Sequence, residues 1–291
     1  MTDFTYDEFT TRNLGFVSEA EQKTLRDACV FVCGTGGMGG SAIMTLIRAG
    51  VERLILADLD AFEVSNLNRQ LFATLDTVGQ DKAQATRDQC LRINPQAQIE
   101  VLGADWCEDV DRLVSSCDVV INGTDDLGAS LLLYRTAKKH NRAVIDAYAS
   151  PLPSVYVTIP DSPMPEEWLC FPTIGTEWNA ITSQMRSDAV MAEATHVMLH
   201  SSSRHYIDLD LAGEMVAGTR SRMSFAPMVV MAGTLMAGEA LNIILKRSRG
   251  TDHRGWFLNT HRGKIERPKN KLITMVMKPL VRRALSKMIN R

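Results

Sequence analysis

A glycine-rich turn between an apolar segment and a helical one is the feature that most restricts the fold of this chain. Residues 29–33 form an apolar run of strand length, the sequence GTGGMG occupies residues 34–39, and a second apolar run follows at residues 53–57. A strand, a helix and a strand in this order predict a βαβ unit with parallel strands. Glycines in the turn permit positive φ and the close approach of a phosphate, and the helix N-terminus attracts anions.

The alternation of apolar runs with helical segments continues beyond this unit. Further strand-length runs occupy residues 98–102, 118–122 and 143–147, and helices are predicted at residues 79–93 and 129–140. Apolar runs of this kind are typical of parallel strands that are covered on both faces. We therefore predict an α/β protein with a Rossmann-like, doubly wound and mostly parallel sheet, to which the C-terminal half adds an antiparallel portion.

The pattern changes after residue 150. The predicted elements there are an edge or antiparallel strand at 154–159, irregular structure at 160–172, long loops at 173–222, a buried helix at 227–245 and a hairpin at 255–259 and 264–267. His196 and His200 are spaced to share one helical face, as metal ligands require. No glutamate follows His196 to complete a hydrolase motif, and we interpret both histidines as part of a polar loop face.

The composition excludes several classes of protein. Hydrophobic residues make up 45% of the chain and charged residues 23%, which is ordinary for a globular protein and too apolar for a disordered one. The formal net charge of −2 gives no indication of a nucleic-acid binder. We expect no transmembrane segment, because no uncharged apolar run approaches about 18 residues. We expect no secretory signal, because the first residues are polar and acidic.

The cysteines indicate the compartment. The chain has six cysteines, and none of them forms a C-x-x-C pair. This favours free thiols in a reducing environment, so we expect a cytoplasmic protein. We expect no structural zinc, because the cysteine pairs that usually hold one are missing.

Polar side chains follow the predicted strands. Asp58 ends the second strand, where a carboxylate meets the ribose hydroxyls of a bound nucleotide. Arg69, Lys82 and Asp125 lie in segments beyond the strand ends, which meet at one edge of a doubly wound sheet. Two cations and a carboxylate suit phosphate chemistry, because the cations stabilise a transferring phosphoryl group and the carboxylate holds Mg²⁺. A hydride-transfer site has no need of them.

These motifs together resemble the ThiF/MoeB/HesA group of ATP-dependent activating enzymes, which is related to the adenylation domain of ubiquitin-activating enzymes. The motifs that carry the resemblance are G-T-G-G-M-G at 34–39, D-L-D at 58–60, S-N-L-N-R-Q at 65–70, G-x-x-K at 79–82 and T-D at 124–125. The resemblance extends over residues 11–268 and is strongest over residues 29–125.

The resemblance implies acyl adenylation, in which a carboxylate attacks the α-phosphate of ATP and yields an acyl-AMP and pyrophosphate. The implied nucleotide-binding residues are Gly34, Gly36, Gly37, Gly39, Asp58, Asn66 and Gln70, and the implied catalytic residues are Arg12, Arg69, Lys82 and Asp125, the last as the Mg²⁺ ligand. Members of the group insert an arginine into the site of the partner subunit. Arg12 matches it, although the group prefers Arg-Gln and this chain has Arg12-Asn13. A homodimer with shared active sites is therefore implied.

Some members of the group form a thioester or persulfide on a cysteine in the segment that crosses the active site. Cys170 is the only cysteine after Cys117, so it is the candidate acyl acceptor. The residues next to Cys170 in the sequence are apolar, which favours instead a cysteine buried in the core. If Cys170 is inert, the reaction ends at the adenylate or passes the acyl group to another nucleophile.

A basic segment ends the chain. The residues from Lys246 onward include 14 Lys or Arg and 2 acidic residues, a formal charge of +12 that leaves −14 for the rest. The predicted units are an adenylation domain at 1–270, with a nucleotide-binding half at 29–150 and a crossover and substrate half at 151–270, and a basic extension at 271–291. Pro279 is expected to start a short surface helix, with docking of an acidic peptide or carrier protein, tRNA contact and membrane-surface association as alternatives to a solvated face.

These features predict an ATP-dependent adenylyltransferase that activates a carboxylate of a small carrier protein or ribosomal peptide as acyl-AMP. An ATP-dependent dehydratase or cyclase that acts on a tRNA-borne or peptide side-chain carboxylate stays open, since the basic tail suits RNA. A third alternative is a non-catalytic partner subunit, against which the intact Arg69, Lys82 and Asp125 speak. A fourth is an NAD-dependent oxidoreductase, which has no need of phosphate-directed cations.

Overall fold

The computed structural model describes residues 4–289 of the chain. Its strands are β1 (Cys29–Cys33), β2 (Arg53–Ala57), β3 (Gln98–Leu102), β4 (Val119–Asn122), β5 (Ala143–Asp146), β6 (Ser154–Thr158), β7 (Trp256–Asn259) and β8 (Lys264–Glu266). They form one sheet with the order β3-β2-β1-β4-β5-β6-β7-β8. Strands β1 to β5 are parallel, and β6, β7 and β8 are each antiparallel to the strand before them. The predicted fold class is confirmed.

Helices cover both faces of this sheet. The α-helices of the described residues are α1 (Tyr6–Thr10), α2 (Glu19–Asp27), α3 (Gly37–Arg48), α4 (Lys82–Leu91), α5 (Val110–Ser116), α6 (Leu127–Lys139), α7 (Pro165–Trp168), α8 (Ser183–His200), α9 (Leu209–Val216), α10 (Ala226–Ile244) and α11 (Lys271–Ile289). Short 3-10 helices occupy Thr11–Asn13, Val64–Asn66, Ala104–Cys107, Trp178–Ala180 and Ser203–His205. Helices α3 and α10 pack on one face and α5 and α6 on the other, so the sheet is doubly wound.

The parallel register brings three strand ends to the same level. Cys33, the last residue of β1, pairs with Ala57 at the end of β2 and with Asn122 at the end of β4. The loops that follow these strands therefore emerge side by side at one edge of the sheet, where open α/β sheets bind ligands.

The C-terminal half contains more helix than its sequence predicts. Helix α7 begins at Pro165, which suits a first helical position because the N–H that proline lacks would be unpaired there. Helix α8 has 18 residues and follows Thr182, whose hydroxyl accepts a hydrogen bond from the Met185 N–H, and α9 follows the capping residue Asp208. The expectations of irregular structure at 160–172 and of long loops at 173–222 are wrong over these helices.

Strand β6 is antiparallel, as expected, but it is not an edge strand. It lies between β5 and β7, and all five of its residues are buried. The predicted hairpin is present as β7 and β8.

Helix α10 connects the two halves of the molecule. By length and apolar composition alone it meets the criterion for a membrane span, a criterion that a core helix also meets. In this fold it packs along α3, and one of its faces contributes Ala232, Met236, Ala237 and Ala240 to the core. The expected buried helix is thus present, with its outer face only partly covered.

The last described element, α11, packs against α8 and α9. Pro279 lies inside this helix rather than at its start, so the expectation of a helix beginning there is wrong. The helix continues past the proline, which removes one backbone hydrogen bond and crowds the carbonyl group four residues earlier. Leu285, beyond the proline, is buried. Residues 290 and 291 of the predicted extension lie outside the described residues.

Candidate functional site

The glycine-rich turn forms one wall of a cavity at the ends of β1, β2 and β4. Gly34 has a φ of +88° and lies against the backbone of Gly123, and a Cβ atom on Gly39 would overlap the carbonyl oxygen of Gly34. These two positions therefore require glycine. Gly36 is the N-cap of α3 and makes no side-chain capping bond, so the first N–H groups of α3 are available to an anion.

Asp58 fixes this turn to the end of β2. Its Oδ2 accepts hydrogen bonds from the Thr35 N–H at 2.7 Å and the Thr35 hydroxyl at 3.0 Å, and its Oδ1 accepts one from the Asp60 N–H at 3.0 Å. Asp58 also lines the cavity beside the turn. The carboxylate predicted to bind ribose is thus held in place by the protein before any ligand arrives.

Lys82 brings a buried cation to the cavity. Its Nζ lies 2.9 Å from Oδ2 of Asp60, and its N–H donates a hydrogen bond to the Asp60 carbonyl. The Lys82 side chain is 9% exposed, whereas that of Asp60 is 70% exposed. A buried ammonium group needs a counter-ion, and a carboxylate on the solvent side provides it.

Arg69 presents a second cation without a carboxylate partner among the described residues. Its Nη1 donates hydrogen bonds of 2.8 Å to the Ser65 carbonyl and to Oδ1 of Asn68. Asn68 in turn donates from Nδ2 to the Ser224 carbonyl, which joins this loop to the segment before α10. The guanidinium group is therefore positioned by neutral oxygens and keeps its full charge for a ligand.

Asn66 and Gln70 have different positions in the same loop. Asn66 is buried and accepts the Glu63 N–H at Oδ1, and it does not line the cavity. Gln70 does line it, and its buried Oε1 has no partner among the described residues. The sequence predicts that Asn66 contacts a phosphate, but its side chain instead stabilises the loop from within. The Gln70 side chain faces the glycine turn at Gly36.

The two adjacent aspartates after β4, Asp125 and Asp126, make different contacts. Asp125 is exposed at the cavity wall. Asp126 caps α6 by accepting the Ala129 N–H and forms an ion pair with Arg186 at the start of α8. The Asp125 carboxylate is therefore available to a metal ion. The Asp126 carboxylate instead links the C-terminal half to this edge of the sheet through Arg186.

The cavity has a volume of about 770 Å³ and joins most of the predicted groups. The predicted residues that line it are Gly34, Gly36, Gly37, Asp58, Arg69, Gln70, Lys82 and Asp125. The predicted residues that do not line it are Arg12, Gly39, Asn66 and Cys170. Arg12 lies exposed in the short helix Thr11–Asn13, outside the cavity of its own chain.

The part of the cavity that residues after 147 line, which we call the distal half, was not foreseen from the sequence. Its walls are Tyr148–Ser154, Trp178, Tyr206, Ile207, Met215, Arg222–Phe225, Met228, Val229, Ala232 and His261. Most of these side chains are apolar or aromatic, and the rings of Tyr206 and His261 are stacked at 4.0 Å. Within the described lining, the distal half has no acidic side chain, and Arg222 is its only lysine or arginine.

Two carboxyl groups with raised pKa values lie within electrostatic range of Arg222. Burial raises the pKa of Asp146 to about 6, although its Oδ2 accepts hydrogen bonds of 2.9 Å from Asn122 and Tyr134. Removal from solvent raises the pKa of Glu193 to about 7. The charge of Arg222 lowers both pKa values, but it forms no ion pair with a described residue.

The cysteines are arranged differently from the expectation. Cys170 is exposed, adopts a φ of +62° and does not line the cavity, so the interpretation as a buried packing residue is wrong. Cys33 and Cys107 line the cavity instead. Burial raises the pKa of both thiols, and nearby acidic groups raise them further, which disfavours the reactive thiolate.

His196 and His200 are buried on α8 and do not form a polar loop, which corrects that interpretation. Their rings lie 4.6 Å apart within a cluster that includes Tyr156 and Trp168. Burial lowers the pKa of His196 to about 3 and that of His200 to about 4. Both rings are therefore neutral parts of the core.

A buried ion pair fixes the segment that crosses the sheet edge. Arg135 of α6 donates hydrogen bonds of 2.9 and 2.7 Å to the carboxylate of Glu166, and also to the carbonyls of Thr173 and Thr176. Thr173 donates from its hydroxyl to the same carboxylate. The residues between α7 and α8 are thereby held against the nucleotide half.

The cavity lining fits a magnesium nucleotide. The bare glycine turn, the orphaned Oε1 of Gln70 and two cations provide partners for phosphates and hydroxyls. In the described part of the chain no group of three or more His, Cys, Asp or Glu side chains is arranged to hold a metal ion. Asp125 alone is sufficient, since Mg²⁺ commonly takes one carboxylate together with substrate phosphates and water.

Curated proteins with related sequences are of several kinds. The chain is 34% identical over 143 residues to protein HesA of Nostoc sp. and 40% identical over 107 residues to the molybdopterin-synthase adenylyltransferase of Salmonella typhimurium. It is 31% identical over 139 residues to the tRNA threonylcarbamoyladenosine dehydratase of Bacillus subtilis. These matches cover 48%, 36% and 47% of the chain and 56%, 43% and 55% of the relatives, so the chain spans about half the length of the curated relatives it matches.

Solved structures share the fold over a longer range. E. coli MccB with AMPCPP and MccA superposes with a TM-score of 0.64 and 19% identity, covering 92% of this chain and 73% of that one. Residues 10–273 of this chain match the ThiF family. This match covers both walls of the cavity and nearly the whole sheet, and the chain belongs to the ThiF family.

Proposed function

We propose that this chain is an ATP-dependent adenylyltransferase that activates a carboxylate of a small protein or peptide as acyl-AMP. The family includes adenylyltransferases, which supports the reaction class. The observation that carries the proposal is the convergence of Arg69, Lys82 and Asp125, from two loops and the start of α4, on one cavity beside the glycine turn.

The side chains suit the charge balance of this reaction. A carboxylate oxygen attacks the α-phosphorus of ATP, the bond from that phosphorus to the bridging oxygen breaks, and pyrophosphate leaves. Both reactants are anions, so Arg69 and Lys82 lower the repulsion between them and stabilise the charge that develops. Asp125 would hold Mg²⁺, which supplies further positive charge to the phosphates. The unpaired N–H groups in the first turn of α3 would donate further hydrogen bonds to the phosphates.

The distal half favours a peptide as the acyl substrate. Its apolar walls, with Tyr148, Met223 and Phe225 among them, suit the side chains of an extended peptide end. Arg222 offers a planar donor group for a carboxylate of that peptide. The described lining of the distal half has one permanent cation, whereas an RNA backbone would require several.

We propose a homodimer in which each subunit completes the site of the other. Arg12 is exposed and lies outside the cavity of its own chain, so a role in catalysis requires the site of a second copy. We also propose a cytoplasmic location, which the free thiols favour.

A second candidate is a dehydratase that activates a tRNA-borne carboxylate by the same adenylation step. The similarity to a tRNA threonylcarbamoyladenosine dehydratase and the basic C-terminal segment favour it. In that case a carboxylate on RNA, rather than a free peptide, would occupy the distal half.

Exchange of labelled pyrophosphate into ATP tests the proposal. Exchange that depends on a peptide acid is expected, and exchange with a modified tRNA instead would favour the dehydratase. Absence of exchange with either, combined with binding of NAD but not of ATP, would overturn adenylation.

A further inference from the structure

Helix α11 lies almost entirely beyond the part of the chain that matches the family, which ends at residue 273. Thr274, Lys278 and Val281 are partly covered and Leu285 is buried, at the spacing that turns one face of a helix toward α8 and α9. The other sides of α11 face away from the protein. This helix is therefore a feature of this chain that the activity of the family does not explain.

The outward sides of α11 carry a dense group of apolar side chains. Leu272 is 72% exposed, Met275 67%, Val276 63% and Leu280 59%, and Ile273 and Met277 are also exposed. These six residues fall within nine consecutive positions and cover more than one side of the helix. Isolated apolar residues on a surface need no explanation, but a contiguous group of this kind marks an interaction surface.

The charges of α11 and of the segment just before it have one sign. Residues 267–287 contain seven lysines or arginines and no aspartate or glutamate. None of the seven forms an ion pair with a residue in the described range. The chain from Lys246 onward carries a formal charge of +12, and the remainder carries −14. This asymmetry would orient the molecule with α11 toward a negatively charged surface.

We propose that α11 is a peripheral anchor that binds an anionic lipid surface. The apolar side chains enter the boundary between headgroups and acyl chains, and the lysines and arginines contact the phosphates of the headgroups. A lipid layer surrounds several sides of a protruding helix, which suits the distribution of Leu272, Ile273 and Val276. The acidic remainder of the chain is repelled from the same surface, so the attachment is oriented.

A second copy of the chain fits the exposed sides of α11 less well than a lipid surface does. A two-fold contact through α11 would place its unpaired lysines and arginines against the same residues of the other copy. An acidic partner protein would match the charge, but a groove covers one side of a helix and would leave part of the apolar group exposed.

Flotation of the full-length protein with vesicles tests this proposal. Binding is expected to vesicles of phosphatidylcholine with phosphatidylglycerol, to be absent with phosphatidylcholine alone and to weaken as salt is raised. We expect the double variant Leu272→Ser/Val276→Ser and the double variant Arg282→Gln/Arg283→Gln each to bind about tenfold more weakly. The matched control Leu75→Ser/Arg87→Gln changes an exposed leucine and an ion-paired arginine elsewhere and is expected to bind like the unchanged protein.

Several outcomes would overturn the proposal. These are equal binding of the α11 variants and the control, absence of binding to both vesicle types, or a shift in oligomeric state on Leu272→Ser/Val276→Ser without loss of lipid binding. The urea-unfolding midpoint of each variant is measured in parallel, and an unchanged midpoint shows that the variants are folded. The vesicle result does not depend on the proposed catalytic activity, so the two proposals fail separately.

Discussion

Nζ of Lys82 donates a 2.9 Å hydrogen bond to Oδ2 of Asp60, which pairs a buried cation with a carboxylate that is mostly in solvent. The Asp60 carboxylate occupies the position beside Lys82 that we expect a phosphate group to take. On the proposed function, we expect a phosphate of bound ATP to replace Asp60 as the partner of Lys82.

Replacement Asp60→Asn is expected to destabilise the protein by about 1–3 kcal/mol, because Lys82 keeps a buried charge without its counter-ion. Saturating ATP is expected to stabilise this variant more than the unchanged protein, since the phosphates restore the missing negative charge. Urea unfolding with and without ATP measures both effects. Equal stabilisation of the two proteins by ATP would contradict this role of Asp60.

The neighbours Asp125 and Asp126 are expected to separate catalysis from stability. Asp125→Ala is expected to lower pyrophosphate exchange by about 10²–10³ with little change in stability, because its carboxylate lines the cavity and has no hydrogen-bond or ion-pair partner among the described residues. Asp126→Ala is expected to lower stability by about 1 kcal/mol through the loss of the α6 cap, and to keep most of the exchange activity. A reversal of these two patterns would exclude Asp125 as the metal ligand.

Arg222 is expected to affect the acyl substrate and not ATP. Arg222→Met is expected to raise the KM for a peptide acid by about tenfold, because a charge-assisted hydrogen bond is lost, while the KM for ATP stays unchanged. Arg220→Met is the matched control, since Arg220 pairs with Glu214 outside the cavity. Steady-state kinetics with both substrates varied separates the two effects, and an equal rise in both KM values would argue against the assignment.

Mixed dimers test whether Arg12 acts on the partner subunit. Arg12→Ala and Asp125→Ala homodimers are each expected to be inactive. A mixture that has exchanged subunits is expected to recover part of the activity, because one of the two sites then has both residues intact. Failure to recover any activity, although mixed dimers are present, would show that Arg12 does not act across the dimer.

The buried histidines are expected to make stability depend on pH below neutrality. The pKa values of His196 and His200, about 3 and about 4 in the folded protein, lie below the value of about 6.5 in an unfolded chain. The unfolded state therefore binds more protons as the pH falls from about 6.5 toward 4, and each histidine is expected to remove about 1–2 kcal/mol of stability at pH 5.

The variant His196→Phe places an uncharged ring in the same aromatic cluster and is expected to lose part of this pH dependence. Urea midpoints at pH 7 and pH 5, compared between the variant and the unchanged protein, provide the measurement. The same loss of stability in both proteins would mean that other groups are responsible.

The nucleotide half could be predicted from sequence because its signals are local. Strands β1, β2, β4 and β5 are mostly apolar runs, whereas β3 alternates polar and apolar residues at the edge of the sheet. The residues that line the nucleotide end follow strand ends, and the parallel register brings those ends together. The pairing of Lys82 with Asp60 was not predictable, since it depends on two loops that meet only in the fold.

The C-terminal half escaped prediction for a physical reason. Apolar and polar residues of α8 are spread around the helix because it packs on several neighbours, so its sequence has no amphipathic period. Arg222 and Tyr206 enter the cavity from loops without a recognisable pattern. Cys170 has apolar neighbours in sequence but is exposed, because the Arg135–Glu166 pair fixes the turn around it.

The lining of the cavity comes from two separate stretches of the chain, residues 33–129 and residues 148–261. On the proposed function, substitutions in the second stretch would change the acyl substrate while the groups proposed to bind ATP stay unchanged. A scaffold divided in this way would allow the recognition surface to evolve separately from the proposed activation chemistry.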